Sequence, residues 1–321
     1  MKHFISFLLY IIMLASCANK QEAMLSVTDV EEADSLALHV ALMPTLGCLP
    51  IYYAERTGIT DSLGLIIRLL QYSAQMDIDT AIVRKHADVA YTDIIRAIRL
   101  SDSVYISPFL SVEEPITMVA QKGEKIKKAK QMSEKMVAIC RLCATDYWCE
   151  KMLDSIKISQ DSIYRPQINN VKLRAKMICT GLLEGAMLEE PYASWAIMEG
   201  NKKLMRTKVN SFQFAVWVTT DSLQKDKKKI EQTRKFVAAY NTAVQKINKG
   251  LYTDTLRAIL LDEYELPASV VDSLKLTPFK QPTPPQKNDI EEAINWLSAR
   301  GINRKKINPD TFANTTLFNK K

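Results

Sequence analysis

Four short segments hold most of the side chains that could contact a small molecule: Thr45-Leu46-Gly47-Cys48, Tyr91-Thr92-Asp93, Arg141-Leu142-Cys143-Ala144-Thr145 and Glu189-Glu190-Pro191-Tyr192. Each lies where an apolar, strand-like run gives way to a helical pattern. Gly47 lets another group approach the backbone closely. The Arg141 guanidinium can clamp a carboxylate or sulfonate with two parallel hydrogen bonds, or pair with Asp146. Glu190 is held extended by Pro191 and can accept from an amine or a ring N–H. Asp93 and Glu189 point to the same kind of partner. The hydroxyls of Thr45, Thr92 and Thr145 can bind a ligand or serve their own helices, and Thr145 is a fitting N-cap. Cys48 and Cys143 add thiols, while Tyr52, Tyr91 and Tyr192 can line a cleft or fill a core. No nucleophile stands with a base and an acid at a recognisable spacing. The chain has no Gly-rich phosphate loop and no zinc pattern, so neither catalysis nor a cofactor is expected. His39 and His86 each sit beside a strand-like run and read as structural. Cys140-x-x-Cys143 can be a disulfide in an oxidising compartment, or with Cys149 a soft-metal site. Spread over a strand end, a loop and a helix, however, the three thiols need not converge.

The elements that position these groups alternate. Residues 36–42 read as a buried strand, broken by Pro44 to Cys48, and Pro50 falls in the first turn of a helix, where its missing N–H costs nothing. A helix over 51–57, a strand over 65–70, a helix over 77–85, a strand over 87–91 and a helix over 94–100 follow. The same grammar restarts with strands at 136–140, 167–172 and 185–188 and helices from Thr145 through 153 and over 174–182. Such alternation with short connections builds a mainly parallel sheet flanked by helices, and two such units mean two α/β lobes. Long strand patterns at 104–110 with 116–120, and at 212–219, read as the two strands of a hinge. The first lobe is then discontinuous (36–108 and 215–321), and 109–214 form the second. Residues 230–249 carry Ile230, Val237, Tyr240, Val244 and Ile247 at helical spacing, with Gly250 as a stop. Beyond Pro282-Thr283-Pro284-Pro285, Asn288 and Glu291 read as a capping box for a helix that buries Ile290, Ile294 and Leu297 and ends at Gly301. Ligands of open parallel sheets sit beyond the carboxyl ends of the strands, which makes the four loops the candidate site.

The amino end carries Met1-Lys2-His3, an apolar run over 4–14 broken only by Ser6, and then Leu14-Ala15-Ser16-Cys17. The run is too short for a permanent span and has the layout of a secretion signal. Cysteine after small residues resembles the lipobox of bacterial lipoproteins. That resemblance implies a signal peptide over 1–16, lipid on Cys17 and a membrane-anchored tether over 17–35; an ordinary cleaved signal is the alternative. Both readings put the protein outside the cytoplasm, where nucleotide cofactors are scarce. With 43 Lys and Arg against 36 Asp and Glu, the formal charge is +7. The basic clusters at 125–130, 225–229 and 304–306 are scattered and lack interleaved aromatics, so nucleic acid is not an expected partner.

The stretch 38–97 resembles the first lobe of the type II periplasmic solute-binding proteins of ABC importers, in the nitrate/sulfonate/taurine group. The resemblance rests on the entry loop from Pro44 to Tyr53 and on Ala87-Asp88-Val89-Ala90, similar to the family's "aDva" signature. Arg165-Pro166-Gln167-Ile168-Asn169 through Leu188-Glu189-Glu190-Pro191-Tyr192-Ala193 is similar to the second-lobe pattern that ends in an "LPEP"-like turn, with Glu189 replacing the first proline. Ile294-Asn295-Trp296-Leu297 to Gly301-Ile302 resembles the family's closing helix. What this implies is a monomeric periplasmic receptor, not an enzyme, that closes two lobes over a sulfonate, a taurine-like or a pyrimidine-like solute. Its partners would be an ABC permease and the permease's ATPase. The same fold also serves enzymes of thiamine-pyrimidine metabolism and, with its cleft put to other use, a sensor or scaffold lipoprotein.

Overall fold

A computed structural model describes residues 36–208, 211–223, 226–251, 253–302 and 306–318; the signal, Cys17 and the tether lie outside the described residues. In chain order the strands are β1 (Leu38–Leu42), β2 (Ile67–Gln71), β3 (Val89–Asp93), β4 (Ile106–Ser111), β5 (Ile116–Ala120), β6 (Val137–Ala138), β7 (Gly185–Glu189), β8 (Lys202–Arg206) and β9 (Ala215–Thr220). The helices that position the site are α1 (Leu49–Arg56), α2 (Ile59–Ser62), α3 (Gln75–Val83), α4 (Ile94–Leu100), α5 (Ala144–Ser155), α6 (Val171–Cys179) and α7 (Tyr192–Met198). A long α8 (Lys227–Asn248) follows, then α9 (Thr253–Asp262), α10 (Ala268–Ser273), α11 (Lys287–Ser298) and α12 (Pro309–Phe312).

β1 is apolar along nearly its whole length, as suits a strand covered on both faces, and it pairs in parallel with β2 and β3. The first sheet runs β2-β1-β3-β9-β4, with β9 antiparallel to both its neighbours. The second runs β6-β7-β5-β8 and departs from a mainly parallel sheet: only β6 and β7 run parallel, while β5 opposes both β7 and β8. The crossing explains the reversal. β4 leaves the first sheet at the edge where β3 ends, so β5 enters the second sheet at that same edge, with Ile116 opposite Glu189 at the end of β7. β8 ends there too, at Arg206, and β9 starts there, with Ala215 opposite Asp93.

The two-residue period of the strands divides the interior. On β5, Ile116, Met118 and Ala120 join a core with Ile139, Leu153 and Met187, whereas Val119 faces the other way. Val119 joins Ala186, Leu188 and Tyr192 in a larger core that continues through the first sheet, α1 and α8. One apolar interior therefore runs through both lobes.

Three local expectations are revised. The segment 167–172 forms only a bridge, Ile139 with Gln167, before Asn170 caps α6 by accepting from the Leu173 N–H at 2.9 Å. α5 begins at Ala144, so Cys143 takes the cap position, and Thr145 turns back to accept from the Cys140 N–H at 3.0 Å. α11 begins at Lys287, which puts Asn288 inside its first turn and leaves no capping box; Gln286 donates instead to the Pro284 carbonyl at 2.8 Å.

Candidate ligand-binding cleft

Because the strand ends of the two sheets share one edge, the loops that leave them face each other across a cavity of about 480 Å³, within the size range of small-ligand sites. Of the residues singled out by sequence, Thr45, Tyr91, Thr92, Asp93, Cys143 and Thr145 line it. Gly47 stands just behind. Its N–H donates to Glu114 Oε2 at 2.8 Å, and a Cβ there would lie 2.6 Å from the Tyr91 hydroxyl oxygen. Cys48, Tyr52 and Tyr192 are core residues behind the loop, and the Tyr192 hydroxyl donates to the Tyr264 carbonyl at 3.1 Å. Glu190 lies outside the lining. Buried, it pairs with Arg206 at 2.6 Å and accepts from the Ser194 N–H at 3.0 Å. Its neighbour Glu189 lines the cavity and pairs with the fully buried Arg174 at 2.5 Å.

Arg141 does not join this set. It is exposed, on a separate shallow groove with Tyr164 and Arg165. Nor does it pair with Asp146, whose carboxylate instead accepts from the Leu142 N–H at 2.9 Å and from Arg165 at 3.0 Å. Leu142 sits at φ +51°, a left-handed turn beside Arg141 that sequence patterning does not disclose.

Sequence reasoning missed Gln75, Glu114, Trp148, Asn169, Phe212 and Phe214, all of which line the cavity. Glu114 had a signal. Glu113-Glu114-Pro115 repeats the triplet Glu189-Glu190-Pro191, and both lie at strand ends on the shared edge. Phe212 and Phe214 stack with centroids 6.0 Å apart and planes 9° apart, and Trp148 lies 6.2 Å from Phe214. Together they make an aromatic wall.

Burial perturbs two acids of the cleft, Glu114 and Asp93. Burial pushes the Glu114 carboxyl up to about 8, against the hydrogen bonds that Oε2 accepts from Gly47 and, at 2.9 Å, from the Tyr91 hydroxyl. Its second oxygen, Oε1, is buried without a hydrogen-bond partner. Thr45 Oγ1 stands close enough to favour the carboxylate, yet it too has no partner in hydrogen-bonding geometry. Burial pushes Asp93 up to about 6, opposed by Arg96; one oxygen caps α4 through the Arg96 N–H at 3.0 Å, and the other accepts from the Ala144 N–H at 3.4 Å. Cys140, Cys143 and Cys149 are free thiols. The hydrogen bond from Cys143 lowers the Cys140 thiol, helped by Arg96 and Arg174, while burial holds the Cys143 thiol up. Asp88 of the Ala87-Asp88-Val89-Ala90 run is an anchor: it accepts from the His39 N–H at 2.9 Å and from Lys229 of α8 at 2.8 Å.

No protein-family model matches the sequence, and no curated protein sequence matches it. Solved structures do. The alkanesulfonate-binding protein SsuA from Xanthomonas axonopodis pv. citri, bound to MOPS, superposes with a TM-score of 0.70 at 12% identity, covering 84% of this chain and 95% of that one. The periplasmic aliphatic sulphonate binding protein SsuA from Escherichia coli gives 0.71 at 14% identity over 88% and 98%. The periplasmic nitrate-binding protein NrtA from Synechocystis PCC 6803 gives 0.72 at 11% identity over 88% and 87%. This chain has the type II periplasmic-binding-protein fold. In this binding-protein fold the two lobes touch on several sides of the cleft. The Leu46 N–H donates to the Glu190 carbonyl at 3.1 Å, Arg99 to the Leu142 carbonyl at 3.2 Å, and the Tyr147 hydroxyl to Glu292 of α11 at 2.8 Å. Lys172 pairs with Glu265 across the same boundary. Among the described residues no helix of this binding-protein fold is long and apolar enough to cross a membrane.

Proposed function

We propose that this protein is an extracytoplasmic receptor that captures a small polar organic solute between its lobes and hands it to an ABC permease and that permease's ATPase. The observation that carries this reading is the cavity at the facing strand ends, walled in part by aromatics and holding buried polar atoms without partners. The fold shared with sulfonate- and nitrate-binding proteins supports it. The moving bodies would be residues 36–108 with 215–321, and residues 109–214, hinged where the chain crosses between sheets. Lipid on Cys17 would hold the protein at the periplasmic face of a membrane, and reversible binding rather than turnover would be its task. Alkylsulfonates, taurine and aminopyrimidines are the solute classes to try.

Thermal unfolding of the purified protein against those solutes tests the reading. A solute at about a hundred times its dissociation constant adds about 2.7 kcal/mol, a shift of a few degrees. A scaffold or sensor role is the second reading, favoured by the apolar interior that runs through both lobes. It predicts no shift with any of these solutes and retention of a protein partner instead.

A further inference from the structure

We propose that Glu114 and Thr45 form a subsite for a cationic nitrogen group, and that the wall of Trp148, Phe212 and Phe214 receives the flat apolar part of the same ligand. The inference rests on the receptor reading and names its ligand class. Glu114 Oε1 and the Thr45 hydroxyl are buried without a partner in hydrogen-bonding geometry, both residues line the cavity, and Thr45 is only 1% exposed. Buried polar atoms are nearly always satisfied; the Thr45 hydroxyl stands near enough to favour the Glu114 carboxylate, and a donor from an occupant would complete the pair. The groups nearest Glu114 are acidic or hydroxylic, although Lys203, Arg206, Lys208 and Lys280 also line the cavity. Glu114 accepts from the Tyr91 hydroxyl, and the Tyr240 and Tyr264 hydroxyls, the Cys48 thiol and the Glu189 carboxyl are near enough to interact with it electrostatically. No Lys or Arg among the described residues forms an ion pair with Glu114, whereas Lys280 pairs with adjacent Glu113 at 3.1 Å, Arg206 with Glu190 and Arg174 with Glu189. A sulfonate against Glu114 itself would meet a carboxyl group, whereas an amidinium, an aminopyridinium or an ammonium would meet its complement there. Phe214 is buried against Phe212 and Tyr147, so Trp148 and Phe212 are the rings whose surface a planar cation could meet, both by area and by attraction to their π-systems.

Proton linkage gives this subsite a signature. A cation that binds the carboxylate must release the proton that burial retains on Glu114. Affinity therefore climbs as pH rises, until Glu114 is ionised in the free protein.

Isothermal titration with benzamidine and with benzenesulfonate, at about pH 6 and about pH 8, tests the inference on the wild-type protein, Glu114→Gln and Thr45→Val. Benzamidine keeps its charge over this range and shares its ring with the anion. The expected result is benzamidine binding that strengthens on the order of tenfold or more with pH, as for a buried acid titrating near the upper value. It should weaken about tenfold or more in Glu114→Gln with its pH dependence lost, and weaken less in Thr45→Val. Benzenesulfonate binding without benzamidine binding would overturn the subsite and leave the receptor reading standing. So would benzamidine affinity unmoved by either variant. Failure of both probes in the wild-type protein would overturn the subsite, and the receptor reading would then stand or fall on the thermal-unfolding panel of alkylsulfonates, taurine and aminopyrimidines. Should Glu114→Gln not fold, Thr45→Val and the wild-type pH profile carry the decision.

Discussion

Glu114→Gln should make the unliganded protein more stable, and more so as pH rises. The wild-type carboxyl titrates near its ordinary value of 4.5 when the chain is unfolded and near about 8 when it is folded. Between those values the folded state binds the extra proton, so wild-type stability falls with rising pH and the whole penalty is present above the upper value. Each unit of difference corresponds to about 1.4 kcal/mol, which over this window sums to roughly 5 kcal/mol as an upper bound. Structural relaxation and water entry around the charge reduce it, and about 3 kcal/mol is a reasonable target. Glutamine keeps an oxygen to accept from Gly47 and Tyr91 but cannot ionise. Urea unfolding from about pH 5 to about pH 9 on both proteins is the assay, with the difference in unfolding free energy plotted against pH. Asp93 and Asp289, both pushed by burial to about 6, add their own slope to each protein and cancel in the difference. A difference that grows by about 3 kcal/mol toward alkaline pH is expected. Parallel curves for the two proteins would show that the Glu114 carboxyl is not shifted and would refute the reasoning.

Gly47→Ala should destabilise by about 1–3 kcal/mol, because its Cβ would stand 2.6 Å from the Tyr91 hydroxyl oxygen and 2.7 Å from the ring; denaturant midpoints measure the loss. Arg174→Ala should cost about 3–5 kcal/mol, since it leaves Glu189 uncompensated at the cavity wall and the Ile168 and Met187 carbonyls without their donor; near-wild-type stability in the same unfolding assay would contradict the pairing. Arg141→Ala should alter stability by less than about 0.5 kcal/mol and leave benzamidine titrations unchanged, because its guanidinium lies on the outer groove; any loss of affinity would return it to the cleft.

Much of the scaffold was legible from periodicity. The apolar run of β1, the inward Ile78, Ala81 and Ile82 of α3, and the stripe from Val237 to Ile247 on α8 each lie where their spacing put them. Loops at strand ends were also readable as neighbours of a site, because strand direction sends their ends to one edge, and Thr45, Asp93 and Cys143 line the cavity there. The second sheet was less legible. A strand of two residues, Val137–Ala138, and the reversal imposed by the crossing leave no local periodic trace.

Composition and spacing alone determined that two alternating units exist, that the chain passes twice between them, and that polar groups cluster where strands end, because periodicity is a property of neighbouring residues. Tertiary structure alone decided how each of two adjacent cleft acids is paired. Glu113 and Glu114 are chemically alike and adjacent, yet one turns to Lys280 and the other to Gly47 and Tyr91. Likewise a left-handed Leu142 accompanies an Arg141 that faces outward while the Phe212 and Phe214 rings meet Trp148 on the cavity wall. Side-chain identity names the chemistry a residue can do; only the burial and orientation that distant segments impose select the residue that does it.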